Sequence, residues 1–228
     1  MKIAVYSGSF NPLHIGHKAI LEYLTKKSDF DWVYLVVSPQ NPFKHSENAL
    51  TGKERYDAAV AAVRRHPELH VWVDDIELNM DPPQYTIKTL DALKRREPEN
   101  DFTLIIGADN LSNIRGWRDF PRILTEYGVA VFPREGTDAE TTRRELMKEC
   151  AASPSMYDYA HGNAAEDEDA DGGMKDNPYE VAEGMQGFEN LEDHLYEIRI
   201  LDAPMVNISS TEIREGIAAG KDMSKYLM

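Results

Sequence analysis

The stretch "KIAVYSGSFNPLHIGH", Lys2 to His17, runs from a short apolar segment through a glycine and a proline to two histidines three residues apart, with a second glycine between them. Residues 2 to 6 have strand character, and "SGSFNP" reads as a tight turn, because Gly and Pro supply or pre-set the dihedrals that turns demand. The turn's backbone N–H groups can face a phosphate, and Gly8 lets a ligand approach the main chain closely. Apolar spacing then predicts a helix over 16 to 27. His14 and His17 fall at i and i+3 around its first turn, so both rings can share one side beside the partial positive charge of the helix start. A bare turn, a helix terminus and two imidazoles make an anion site. Surface decoration is the plain alternative for such a pair. A zinc site would need a third and fourth ligand that nothing nearby supplies, so no protein metal ligand is expected.

The same strand-to-helix rhythm continues outward. Further strands are predicted at 32–37, 70–75, 102–107, 128–132 and 196–201, with helices near 52–65, 86–96, 118–126 and 138–150. Two of these helices open with capping patterns, "TGKE" at Thr51 and "TDAE" at Thr137. Alternation of this kind predicts an α/β fold, a doubly wound parallel sheet with helices on both faces and ligands at the carboxyl ends of its strands. The rhythm breaks at about 151–193, where "AAEDEDADGGMKDNP" carries too little apolar surface to offset its ordering entropy. That stretch is expected to be an acidic surface insertion in a single domain spanning 1–228. Its carboxylates do not meet the register of an EF-hand cation loop.

Composition narrows the partners. The 228 residues carry a formal charge of −15, which disfavours long nucleic acid, although small anions can still enter a locally positive cleft. No apolar run is long enough to span a bilayer and the amino end lacks a signal-peptide pattern, so no membrane partner and a cytoplasmic location are expected. The one cysteine, Cys150, excludes an intramolecular disulfide. Homo-oligomerisation stays open.

A second anion-binding signature follows the last predicted strand. "NISSTEIR", Asn207 to Arg214, offers hydroxyls and amides of Ser209, Ser210 and Thr211 at a helix start, with Arg214 one turn in; taken alone, "SSTE" is an ordinary capping box. Together, "GSFNPLHIGH" and "NISSTEIR" resemble the H-x-G-H and I-S-S-T-x-I-R signatures of the nucleotidyltransferase superfamily related to class I aminoacyl-tRNA synthetases. That resemblance implies a Rossmann-like fold. It also implies that His14, His17, Lys44 and Arg214 stabilise charge during nucleotidyl transfer, and that Gly8, Ser9, Phe10, Gly107, Ile208, Ser209, Ser210 and Thr211 join them around ATP.

Between the two signatures, "PQNPFK", "ERYDAA", "QYTIKTL", "IIGADN" and "GW" resemble bacterial nicotinate-nucleotide adenylyltransferases. By that resemblance Lys44 reaches ATP phosphate and Asp109 holds the adenosine ribose. Ser9, Phe10, Tyr85, Thr86, Trp117 and Arg134 surround the pyridine nucleotide, with Trp117 stacked on the ring. The reaction implied joins ATP, with Mg²⁺, to nicotinate mononucleotide and releases pyrophosphate. Tyr85 and Thr86 read equally well as a helix start; a cap is the plain alternative for Asp109, but its place just after a strand's carboxyl end favours the ribose. The chain departs from the family at several places: Ser7 stands for a common glycine, Asn11 for aspartate, Phe43 for a histidine that His45 could replace, and Glu135 for a proline after Arg134. Phosphopantetheine adenylyltransferases and cytidylyltransferases share the first signature and are the rival enzymes. A nucleotide-binding sensor without turnover is the rival of another class.

Overall fold

The computed structural model describes residues 1–39, 50–152 and 198–228. Lys44, Phe43, His45 and all but the first two residues of the expected acidic insertion lie outside the described residues. The strands are β1 (Lys2–Gly8), β2 (Trp32–Val37), β3 (Val71–Asp74), β4 (Asp101–Gly107), β5 (Val129–Phe132) and β6 (Ile198–Ile200). They form one sheet in the order β3-β2-β1-β4-β5-β6, every neighbouring pair parallel. The order reverses between β1 and β4, and the carboxyl ends there open the crevice in which such sheets bind ligands.

Alternation along β1 sends side chains to two cores. Ala4 and Tyr6 pack with Leu21 and Leu24 of α1 (Ile15–Lys26) and Ala59 of α2 (Gly52–Arg64) on one face. Ile3 and Val5 face the other, with Ile87, Leu90 and Leu93 of α3 (Thr86–Arg96) and Leu111 of the short α4 (Ala108–Ser112). The doubly wound α/β expectation is therefore met.

Local differences have local causes. The predicted 118–126 helix is a short α5 (Phe120–Arg122) that widens into a π turn over Ile123–Tyr127. Asp119 precedes it in a left-handed conformation (φ 50°), and the amide of Gly128 bonds back to the Ile123 carbonyl at 2.9 Å, five residues away. Helix α6 (Ala139–Ala152) is capped by Asp138, whose carboxylate accepts from the Thr141 amide at 3.0 Å, one residue later than "TDAE" suggests. Helix α7 (Ser210–Ala218) starts in the second signature. Among the described residues no helix is long and apolar enough to cross a membrane.

Candidate active site

Strand β1 extends two residues beyond its expected end, pairing Ser7 and Gly8 with Val36 and Val37, so the turn begins only after Gly8. Gly8 is needed mainly for internal packing: a Cβ there would come 3.1 Å from the Phe10 ring. Chain reversal falls on Phe10, which is buried and takes φ 42°, a conformation that costs a bulky residue about 1–3 kcal/mol. Ring contacts hold it there, Tyr6 at 5.4 Å and His17 at 5.1 Å between centroids.

The two histidines cap their own helix. His14 is the N-cap of α1, and its Nδ1 accepts the Gly16 amide at 3.1 Å; His17 Nδ1 accepts the His14 amide at 3.2 Å. A nitrogen that accepts a backbone N–H carries no proton, so each ring keeps its proton on Nε2 and offers that N–H to a ligand. The rings lie 3.7 Å apart between centroids at 32°. Burial, then Arg134, lowers the His14 pKa to about 4, with Glu212 opposing. Burial, then His14 and Arg134, holds His17 well below its ordinary value. Both are neutral dipolar donors near pH 7, a refinement of the charge-stabilising role expected from sequence. The intervening glycine also has a reason, since a Cβ on Gly16 would sit 3.0 Å from the His14 ring.

Helix α7 closes the opposite side. Ser209 accepts the Glu212 amide at 3.2 Å while the Glu212 carboxylate accepts the Ser209 amide at 2.8 Å. Ser210 donates to the Pro12 carbonyl at 3.1 Å, and Arg214 donates to the Asn11 carbonyl at 2.7 Å and to the Thr211 hydroxyl at 3.0 Å. The bonds to Pro12 and Asn11 join the first signature to the last, across 198 and 203 residues of chain.

Two cavities meet at this seam. One, about 510 Å³, is lined by His14, His17, Asp109, Arg134, Asn207, Ile208 and Ser209, with a wall from Pro204 to Val206 that sequence reading did not single out. The other, about 270 Å³, is lined by Gly8, Ser9, Phe10, Thr86, Gly107 and Trp117, and shares His17 and Arg134 with the first. Arg134 stands 3.6 Å from Asp109 between them. Ser210 lines the second cavity, whereas Tyr85, Thr211 and Arg214 line neither, Arg214 being spent on the Asn11 and Thr211 bonds. Beneath the second cavity, Ser7 donates to Glu77 at 2.9 Å and shares a 2.9 Å bond with the Ser38 hydroxyl, and Thr89 donates to the same Glu77 oxygen at 3.1 Å. The serine that departs from the family's glycine thus anchors a buried carboxylate. Among the described residues no group of three His, Cys, Asp or Glu could hold a metal ion.

Two helix starts border one cleft at the switch point of a parallel sheet, an arrangement that suits an anionic ligand, and sequence similarity says to which family such a cleft belongs. Residues 5–216 match the cytidylyltransferase-like family. A protein of Flavobacterium psychrophilum named a probable nicotinate-nucleotide adenylyltransferase is 38% identical over 227 residues, covering 100% of this chain and 92% of its own. The chain belongs to the nicotinate-nucleotide adenylyltransferase family. A Cytophaga hutchinsonii protein of the same name is 37% identical over 156 residues, 68% of this chain and 80% of its own. Among solved structures, Plasmodium falciparum nicotinic acid mononucleotide adenylyltransferase complexed with NaAD shares the fold, with TM-score 0.64 at 14% identity over 99% of this chain and 90% of that one. In this member of the adenylyltransferase family two capped helix starts border the cleft, and Trp117 lines the smaller cavity.

Proposed function

We infer that the chain is a nicotinate-nucleotide adenylyltransferase, transferring the adenylyl group of ATP to nicotinate mononucleotide to give deamido-NAD and pyrophosphate. The observation that carries this reading is the joining of the two cavities at His17 and Arg134, one bordered by the Ser209 helix start and the other by Thr86 and Trp117. ATP in the larger and the mononucleotide in the smaller would bring α-phosphorus and phosphate together at the histidines.

The mononucleotide phosphate is already an oxyanion at pH 7, so no side-chain base is required. One of its oxygens forms a bond to the α-phosphorus as the bond from that phosphorus to the β-phosphate oxygen breaks, and the electron pair leaves with pyrophosphate. Catalysis is then positioning and charge stabilisation by fixed donors. We assign this to the Nε2–H groups of His14 and His17, to the amides and hydroxyls of Ser209, Ser210 and Thr211, and to the cations of Lys44 and Arg214. Arg214 would exchange its contact with the Asn11 carbonyl for phosphate. Nucleotidyltransferases of this family work with a divalent cation on the nucleotide, here assigned as Mg²⁺ entering with ATP. Asp109 and Glu212, two carboxylates lining the larger cavity, are already engaged by Arg134 and Ser209. ATP as substrate fits a cytoplasmic location.

Helix α3 starts without a side-chain cap, and its first residue, Thr86, lines the smaller cavity. Its first N–H groups, without an acceptor among the described residues, would stabilise the pyridine carboxylate and leave an amide NH₂ facing donors. Pyrophosphate release from Mg-ATP is therefore expected with kcat/KM about 10²-fold higher for nicotinate than for nicotinamide mononucleotide, about two mismatched contacts. Faster release with phosphopantetheine, or with CTP replacing ATP, would overturn the reading. Binding without any turnover would favour the sensor.

A further inference from the structure

Helix α2 buries residues 55, 59 and 62 along one stripe, and the first of them is an arginine. Arg55 is 1% exposed, with no carboxylate in ion-pair range among the described residues. Its Nη1 donates to the carbonyls of Ser9 at 2.6 Å and Ser38 at 2.8 Å, and its Nε to the Leu50 carbonyl at 3.4 Å. Among the described residues its Nη2 is buried without a hydrogen-bond partner. A cation in a core position, paired among the described residues with carbonyls alone, is costly unless the structure uses what it holds.

What it holds is the peptide leading into Phe10. A trans peptide unit is planar, with its C=O and N–H on opposite sides, so a Ser9 carbonyl turned down to Arg55 turns the Phe10 N–H the other way. Ser9 and Phe10 line the smaller cavity, and the Phe10 amide has no acceptor among the described residues. The positive φ of Phe10 leaves this peptide in a conformation it would not hold unaided. Ser38 and Leu50, the other carbonyls bound, are the two stems of the β2 to α2 connection.

We propose that Arg55 is a positioning residue for adenylyl transfer: it clamps the Ser9–Phe10 peptide so that the Phe10 N–H is presented to an anionic substrate group, and it ties that turn to both stems of the β2 to α2 connection. This rests on the function inferred above. Lysine keeps the charge but lacks the fork that reaches several carbonyls at once.

The test uses the full chain as wild type, Arg55→Lys and Arg55→Met, at a temperature where circular dichroism shows all three folded. Arg55→Met is expected to lower kcat about 10²-fold, the cost of a misplaced reacting group, and Arg55→Lys to restore little of it. In ¹⁵N-labelled wild type, Mg-ATP or nicotinate mononucleotide should shift the Phe10 amide strongly, and in both variants that shift should shrink. A folded variant with wild-type kcat and an unchanged Phe10 response would overturn the proposal. If Arg55→Met does not fold, Arg55→Lys and the wild-type Phe10 response decide. A wild type that shifts Phe10 with Mg-ATP yet releases no pyrophosphate would sink the function and leave the clamp standing.

Discussion

A histidine that caps a helix with Nδ1 is a different chemical object from a solvated one. Loss of the His17 donor, in a site that aims it at developing charge, should cost turnover in His17→Ala about 10²- to 10³-fold, measured as pyrophosphate release. Near-normal turnover would remove His17 from the chemistry. The same geometry has a consequence for stability. The His14 pKa is about 4 folded and 6.5 ordinarily. Between those values the unfolded chain binds more protons than the folded one, so stability present above pH 6.5 is lost as the pH falls toward 4. The melting temperature should decline across that window, and His14→Asn, which keeps an N-cap acceptor, should flatten the decline. An equally steep curve in the variant would assign the loss to other groups.

Helix starts are the working parts at the next scale. Three reciprocal capping boxes occur among the described residues, at His14, Thr51 and Ser209. Helices α1 and α7 begin on the cleft, so their remaining N–H groups can serve a ligand as well as the fold. Ser209→Ala is expected to cost about 1 kcal/mol of stability, which for a chain of this size is a fall of roughly 2–4 °C in Tm. It should also raise the KM for ATP, because the hydroxyl and the ordered first turn are lost together. A lowered Tm with unchanged KM would confine Ser209 to capping.

Over the whole molecule, the site is a seam between the first and last β/α units. Bonds from Ser210 to Pro12 and from Arg214 to Asn11 cross it, and an anionic ligand would accept from donors on both sides. A ligand bound only by the folded seam must stabilise the fold. Mg-ATP at a hundred times its Kd should add about 2.7 kcal/mol, raising Tm by roughly 5–10 °C, readable by calorimetry. The absence of any such shift would show that the described cleft does not hold the nucleotide.

Much of this was legible in the chain alone because it is written over short distances. The strand-to-helix rhythm, the turn after β1, and the helix starts at "HIGH" and "SSTE" depend on periodicity and capping within a few residues, and these elements stand close to where those signals place them, β1 taking Ser7 and Gly8 from the expected turn. The π turn after α5 was not legible, since Asp119, Pro121 and Gly128 set it through dihedrals that apolar spacing does not register. Arg55 shows the same limit at the site. Its stripe is readable, but an arginine at a helix start reads as solvated until packing buries it among three carbonyls. The sequence by itself determined the element types, the two anion-binding signatures and the family, because each is carried by local pattern or residue identity. Only the tertiary structure decided the strand order that brings those signatures together, the neutral state of His14 and His17, and the pairing of Arg134 with Asp109 between the cavities. Those follow from burial and from contacts between residues distant in the chain, which exist only once the sheet has assembled.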